Sequence, residues 1–163
     1  KDLTKESIFN ILSHSNKCGI KFENSNILDL FAGVGSFGLE CLSRGSSYVT
    51  FIENYKNVLP VLKKNVSNLD YENSSLIIEN NKIDNINFKN FKKKFDLIFM
   101  DPPYKEKNVS KILRSIIGAK ILNDNGIIII HRHKKDKDEL PNEFRIIEEK
   151  TYGISRVFFG SYL

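Results

Sequence analysis

Short apolar runs alternate along the chain with amphipathic stretches, which is the pattern of a βαβ protein. The run Ile127–Ile130 is apolar throughout, as in a parallel strand that is buried on both faces. The amphipathic stretches repeat apolar residues at helical spacing, as Ile8, Ile11 and Leu12 do in the first one. We expect Asp2 or Thr4 to cap that opening helix.

The same reading along the chain predicts four helices and seven strands. The predicted helices are Leu3–Ser13, Ser36–Arg44, Asn57–Leu69 and Lys107–Ala119. The first five predicted strands are Asn26–Phe31, Tyr48–Glu53, Leu76–Glu79, Phe95–Asp101 and Ile127–His131. The last two, Phe144–Lys150 and Ile154–Leu163, flank a Tyr152-Gly153 turn and predict an antiparallel hairpin at one edge of the sheet.

Length and composition restrict the class of protein. The 163 residues predict one domain, residues 1–163, and a net charge of +5 favours a polyanionic partner. Cys18 and Cys41 are not spaced as metal ligands, so we expect neither a metal site nor a disulfide scaffold. The apolar runs are too short to span a bilayer and the N-terminal residues lack a signal-like apolar core. A cytoplasmic protein without membrane association, and a monomer, is the expectation.

A glycine-rich turn predicts a nucleotide site. Gly33, Gly35 and Gly38 are spaced G-x-G-x-x-G between a predicted strand and a predicted helix. Such a turn brings a ligand close to the backbone at a helix N-terminus, and Glu53, at the end of the next strand, can accept hydrogen bonds from ribose hydroxyls. The alternative is a tight turn that binds no ligand.

Asp29, at the tip of the first strand, indicates which nucleotide is bound. A carboxylate there would repel the pyrophosphate of a dinucleotide such as NAD. S-adenosylmethionine has no phosphate and carries positive charge on its ammonium and its sulfur, so an acid becomes attractive. We therefore favour S-adenosylmethionine over NAD, although Asp29 could also serve as a helix-capping acid.

A second motif, Asp101-Pro102-Pro103-Tyr104, follows the strand predicted at Phe95–Asp101. Two prolines stiffen the backbone and leave the Asp101 side chain and the Pro102 carbonyl as fixed acceptors for a planar amino group. Both would stabilise positive charge on an attacking nitrogen, while Tyr104 stacks on the base. The alternative is a proline-stiffened turn at the end of a strand.

Together these motifs resemble amino-methyltransferases of exocyclic nitrogens. The order of Thr4–Leu12, Asp29–Gly38, Leu42–Gly45, Asp101–Tyr104 and Thr151–Ser155 is similar to that in the small-subunit ribosomal RNA guanine-N2 methyltransferases, the RsmD family. The resemblance covers essentially the whole chain. It implies an α/β, Rossmann-like class I methyltransferase fold with a seven-stranded, mostly parallel sheet and a C-terminal antiparallel hairpin.

The resemblance also implies a reaction and a set of site residues. A methyl group would pass from S-adenosyl-L-methionine to the exocyclic N2 of a guanine in 16S ribosomal RNA, within an assembled or assembling small subunit, with S-adenosyl-L-homocysteine as product. The implied catalytic residues are Asp101, Pro102, Pro103 and Tyr104. The implied cofactor-binding residues are Asp29, Ala32, Gly33, Gly35, Glu53, Asn54 and Asn81, with Asn81 standing where the family usually has an Asp at the adenine. The basic segment and small hairpin that precede the first helix in the family are expected to be absent.

Other readings of the same residues stay open. Adenine-N6 DNA methyltransferases and protein glutamine methyltransferases use similar tetrapeptides, and a module that binds RNA or cofactor without catalysis is a further alternative. Phe88, Phe91 and Phe95, interleaved with Lys89–Lys94, are expected to anchor a loop to the core rather than to bind bases. The segment His131–Lys135 is expected to be a solvated loop after a strand.

Overall fold

The computed structural model describes residues 2–79 and 82–162 and contains a seven-stranded sheet with helices on both faces. The helices are α1 (Leu3–His14), α2 (Ser36–Ser43), α3 (Leu59–Asn68) and α4 (Val109–Ala119). The strands are β1 (Asn26–Leu30), β2 (Tyr48–Glu53), β3 (Ser75–Glu79), β4 (Phe95–Met100), β5 (Leu122–His133), β6 (Phe144–Tyr152) and β7 (Ser155–Tyr162). Single-turn 3-10 helices lie at Glu72–Ser74, Ile83–Asn85 and Phe88–Asn90.

The strands are arranged in the order β3-β2-β1-β4-β5-β7-β6. Strands β1 to β5 pair in parallel, whereas β7 pairs antiparallel with both β5 and β6. The carboxyl ends of β1, β2 and β4 therefore meet at one edge of the sheet, and the order reverses between β1 and β4. The predicted α/β fold, with its mostly parallel sheet and C-terminal antiparallel hairpin, is confirmed.

Side chains of the central strands alternate between two buried cores, one on each face of the sheet. On β4, Leu97 and Phe99 pack in the core under α1, α2 and α3, whereas Ile98 and Met100 pack in the core under α4. The same alternation holds in β5. Residues that continue this odd-numbered series beyond the strand ends consequently lie on the face covered by α1 and α2.

Most predicted boundaries agree with the structure to within one or two residues. Asp2 caps α1, because its carboxylate accepts a hydrogen bond from the Lys5 amide over 3.1 Å. Pro60 occupies the first turn of α3, where its missing amide leaves no hydrogen bond unmade. The chain leaves β1 one residue earlier than expected, at Phe31, whose φ of +60° starts the turn.

The prediction for β5 was wrong at both ends. The strand begins at Leu122 and continues through His133, so Arg132 and His133 are strand residues rather than part of a solvated loop, and His131 is not the last residue of the strand. They extend the strand because β7 pairs with them in antiparallel register, His131 with Val157 and Arg132 with Arg156. Such a partner lies too far along the chain to be read from local pattern.

The aromatic residues near the lysine-rich loop are core anchors, as predicted. Phe88 and Phe95 are buried and Phe91 is partly buried between them, with edge-to-face ring contacts along the series. Cys18 and Cys41 are also buried, and both are free thiols. Within residues 2–79 and 82–162, we find no helix with the length and apolar character needed to cross a bilayer.

Gly38 provides a test of how closely α2 packs on the sheet. A Cβ at this position would overlap the Phe51 ring and lie 2.8 Å from Val49 Cγ1. We expect Gly38→Ala to lower the free energy of unfolding by about 1–3 kcal/mol, because the helix must move away from β2. Gly118→Ala is the matched control. A Cβ there meets nothing within 4 Å, so we expect the free energy of unfolding to rise by about 0.5–1 kcal/mol. Urea unfolding of both variants measures the difference, and equal effects would contradict the packing argument.

Candidate active site

Two turns lie side by side where β1 and β4 end. Leu30 and Met100 are partners in the parallel register, so the glycine turn that begins at Phe31 lies next to the Asp-Pro-Pro-Tyr turn that begins at Asp101. Both turns open at the edge formed by the carboxyl ends of the strands, which is the ligand-binding edge of open α/β sheets.

The glycine turn needs its glycines for two different reasons. Gly33 has a φ of +59° and a Cβ there would meet nothing within 4 Å, so backbone conformation alone favours glycine, and the space beside it is open. Gly35 has a φ of +88°, and a Cβ there would lie 2.6 Å from Leu62 Cδ1. The turn is therefore both left-handed and tightly packed, with Gly33 as the point where a ligand can approach the backbone.

Glu53 fastens the glycine turn to the end of β2. Its side chain is buried; Oε1 accepts a hydrogen bond from Gly33 N over 2.7 Å, and Oε2 accepts from the amides of Asn54 and Tyr55 over 2.7 and 2.8 Å. A carboxylate offers about four lone-pair sites, of which backbone amides here occupy three. Sequence reasoning identified the acid and missed this second role, because backbone donors leave no trace in residue identity.

Asp29 is a buried carboxyl group close to two other acids. It is 1% exposed, and its Oδ2 accepts a hydrogen bond from Gly38 N over 3.0 Å. Burial raises the pKa of Asp29 well above its ordinary value; the Gly38 hydrogen bond acts in the opposite direction, and the negative charges of Asp101 and Glu53 raise the pKa further. A positively charged ligand at this position would relieve that repulsion.

The Asp-Pro-Pro-Tyr turn presents the side chains of Asp101 and Tyr104 to solvent, and the buried Arg132 binds it from the protein interior. The Asp101 side chain is half-exposed, Tyr104 is 74% exposed and Pro102 is buried. The buried Arg132 donates hydrogen bonds to the Pro103 and Glu106 carbonyls over 3.3 and 3.1 Å. The same guanidinium is paired with Asp138, Nε to Oδ2 over 2.7 Å, which fixes its position.

His131 lies on the next strand and contacts the same turn. Its Nδ1 is 3.2 Å from Asp101 Oδ1. Both residues line a narrow cleft of about 50 Å³, together with the N-cap Asp2, Lys5 of α1 and Phe37 of α2. Phe37 stacks on Phe99 with ring centroids 3.8 Å apart, which joins the start of α2 to β4. Neither Arg132 nor His131 was predicted as a site residue, because their contacts depend on the pairing of β5 with β4 and β7, which local sequence does not show.

The structure thus brings most of the predicted site residues to one edge. Asp29, Ala32, Gly33, Gly35, Glu53 and Asn54 surround the ends of β1 and β2, and the tetrapeptide lies beside them. Asn81, predicted to contact an adenine, lies outside the described residues. Among the residues that the structure describes, no group of three or more His, Cys, Asp or Glu side chains is arranged to hold a metal ion.

The topology, with a glycine turn after β1 and an acid at the end of β2, is the fold of class I methyltransferases. The solved structure of the Escherichia coli yhhF protein, provisionally named a methyltransferase, superposes with a TM-score of 0.81 at 24% identity, covering 99% of this chain and 87% of that one. A conserved hypothetical protein of Streptococcus pyogenes superposes with a TM-score of 0.78 at 26% identity, covering 98% and 95%.

Sequence comparison gives the family. The model for the family described as conserved hypothetical protein 95 matches residues 1–161. Ribosomal RNA small subunit methyltransferase D of Buchnera aphidicola is 33% identical over 90% of this chain and 72% of its own length. The Haemophilus influenzae protein of the same name is 31% identical over 94% of this chain and 77% of its own length. The chain belongs to this family, and the resemblance drawn from the motifs is confirmed.

The burial of Asp29 is expected to make the free energy of unfolding depend on pH. Because its pKa is raised in the native state, folding keeps a proton that the unfolded chain loses above about pH 4. Stability from this group is therefore present at low pH and lost as pH rises towards the native pKa. We expect Asp29→Asn to be more stable than the unchanged protein at neutral pH, with the gap narrowing towards pH 4.

Urea unfolding of the ligand-free protein at several pH values measures this gap. Asp124→Asn, which neutralises an exposed carboxylate near the start of β5, is the control for the loss of one charge and should change stability little. A gap for Asp29→Asn that does not change with pH would contradict the assignment of a buried, destabilised carboxyl group.

Proposed function

We propose that this chain transfers a methyl group from S-adenosylmethionine to the exocyclic N2 of a guanine in 16S ribosomal RNA, within the small ribosomal subunit. The observation that carries the proposal is the juxtaposition of the two turns. An open glycine turn backed by the buried Asp29 and Glu53 lies next to a rigid tetrapeptide whose Asp101 and Tyr104 are exposed. The glycine turn with its two acids suits a cationic cofactor, and the tetrapeptide suits an amine on a planar base.

The acidic end of the site fits S-adenosylmethionine better than a dinucleotide. Asp29 and Glu53 would repel a pyrophosphate and attract an ammonium or sulfonium group. Asp29 and the backbone of Ala32, Gly33 and Gly35 would hold the methionine end. Because amides occupy most of its lone pairs, Glu53 would accept a hydrogen bond from one ribose hydroxyl, with Asn54 beside it. When bound, the cofactor supplies an electrophilic methyl group on a positively charged sulfur.

The tetrapeptide would act on the amine. The Asp101 carboxylate and the Pro102 carbonyl accept its two hydrogens and point its lone pair at the methyl carbon. As the amine takes the methyl group from the sulfur, positive charge would develop on the nitrogen, and these two acceptors would stabilise it. The extra proton then leaves to water. Arg132 keeps the acceptors in place through the Pro103 carbonyl, and the exposed Tyr104 is free to stack on the ring.

The ribosomal RNA substrate is supported by the names of the relatives and by surface charge. Both relatives described above are called ribosomal RNA small subunit methyltransferases. Lys105 and Lys107, directly after Tyr104, are exposed beside the site, where they can contact phosphates. The net charge of +5 acts in the same direction.

Transfer of a tritiated methyl group to defined acceptors tests the proposal. The acceptors are small subunits that lack the modification, naked 16S RNA, duplex DNA and a glutamine-containing peptide, followed by nucleoside analysis. We expect N2-methylguanosine from the subunits. N6-methyladenosine in DNA, or methylglutamine in the peptide, would replace the proposal by the corresponding alternative. Binding of cofactor without transfer to any acceptor would reduce the chain to a binding module.

Asp101→Asn separates catalysis from cofactor binding. The amide keeps the size of the side chain but removes the negative charge that stabilises the amine, so we expect methyl transfer to slow roughly 10²- to 10³-fold. The dissociation constant for S-adenosylmethionine should change only a few-fold. Single-turnover rates and equilibrium binding measure the two quantities, with Asp124→Asn as a charge-matched control. Equal losses in rate and in cofactor affinity would contradict the assigned role.

A further inference from the structure

His131 contacts the proposed catalytic carboxylate from the neighbouring strand, and the reaction as described gives it no task. Because Met100 pairs with Ile130, Asp101 and His131 are the next positions in the parallel register. Their side chains meet with Nδ1 and Oδ1 3.2 Å apart. The His131 side chain is 22% exposed and that of Asp101 48%, so the imidazole lies behind the carboxylate and the carboxylate faces the solvent side of the site.

Charged groups surround this imidazole from several elements. Asp101 directly follows β4, the N-cap Asp2 and Lys5 of α1 line the same cleft, and Arg132 follows His131 on β5. β7 contributes the uncharged Val157 opposite. The Asp101 hydrogen bond raises the pKa of His131 above 6.5; burial lowers it, the charges of Asp101 and Asp2 raise it, and Arg132 lowers it. The pKa of His131 is thus raised overall, so the imidazole keeps its proton to a higher pH than an ordinary histidine does.

We propose that His131 is a positioning residue for the methyl transfer. Its Nδ1–H holds one oxygen of the Asp101 carboxylate, so that the other oxygen faces the incoming amine, and its own charge sets how strongly that carboxylate attracts the amine. The inference rests on the proposed function and adds to it a residue that sets both orientation and pH response.

The two charge states of His131 have different consequences for the reaction. A neutral imidazole with its proton on Nδ1 donates to Asp101 and leaves the carboxylate its full negative charge. An imidazolium makes the same hydrogen bond but cancels part of that charge. Since positive charge develops on the attacking nitrogen, the protonated state stabilises the transition state less. The rate should rise as His131 loses its proton, and no proton need pass from the substrate to His131.

Two substitutions of His131 separate its effect on the orientation of the Asp101 carboxylate from the effect of its own charge. His131→Gln keeps a side-chain N–H that can donate to Asp101 and removes the titration, whereas His131→Ala removes both. We expect the single-turnover rate of the unchanged protein on small subunits to rise with pH with a midpoint above about 6.5. His131→Gln should lack this rise yet stay within a few-fold of the unchanged protein at high pH. His131→Ala should be slower by roughly tenfold or more at every pH.

His133→Gln is the matched control, because His133 lies on the same strand and its Nδ1 accepts a hydrogen bond from the Lys135 amide instead of contacting Asp101. Its pH profile should coincide with that of the unchanged protein. The dissociation constant for S-adenosylmethionine should be similar in all of these variants. Coincident profiles for His131→Gln and the unchanged protein, or a fully active His131→Ala, would overturn the proposal.

A second readout does not depend on catalysis. NMR titration of the His131 imidazole should give a lower pKa in Asp101→Asn than in the unchanged protein, and an unchanged pKa would overturn the proposed pairing. Failure of methyl transfer and failure of the His131 role give different results. An unchanged protein that methylates no ribosomal RNA overturns the proposed function, and this role with it. Normal methylation with the same pH profile in the unchanged protein and in His131→Gln overturns the role of His131 alone.

Discussion

The site depends on carboxyl groups that parallel pairing places close together at one sheet edge. Asp29, Glu53 and Asp101 come from the ends of three adjacent strands, at positions of the same parity, so all three lie on the face covered by α1 and α2. Two of them also build the glycine turn, since Glu53 accepts from Gly33 N and Asp29 from Gly38 N. The groups that would attract a cation thus also shape the backbone that would hold it. Burial of Asp29 and its repulsion by the other two acids disfavour its ionised form in the ligand-free protein, which is a cost commonly found where a site is arranged for a ligand.

The C-terminal hairpin contributes to the site from the other side. By pairing with residues 131–133, β7 keeps β5 extended past the point where its apolar run ends. The alternation of a strand then sends His131 and Arg132 to opposite faces. His131 meets the side chain of Asp101, and Arg132 meets the carbonyls behind it. The hairpin that closes the sheet therefore also supports the rigid tetrapeptide on which the proposed transfer depends.

Much of this could be predicted from the sequence, for identifiable reasons. Strong hydrophobic periodicity predicted the elements around the core. The glycine turn and the tetrapeptide indicated a methyltransferase, and their order with Thr4–Leu12, Leu42–Gly45 and Thr151–Ser155 indicated the family, which the comparisons confirmed. The failures share a cause: they depend on contacts between segments far apart in the chain. The extension of β5 requires β7, the buried state of Arg132 requires Asp138 and two carbonyls, and the second role of Glu53 requires backbone amides. Residue identity and local spacing carry none of that information.

Calorimetry tests directly whether the site selects a cation through the ionisation of a buried acid. S-adenosylmethionine would be titrated into the protein between about pH 5 and 8 in buffers of different ionisation enthalpy, which reports the protons exchanged on binding. A cation beside Asp29 must lower its raised pKa, so binding should release protons, and Asp29→Asn should release fewer and bind more weakly. Binding of equal affinity and equal proton exchange in both proteins would contradict this selection, as would tighter binding of NAD than of S-adenosylmethionine.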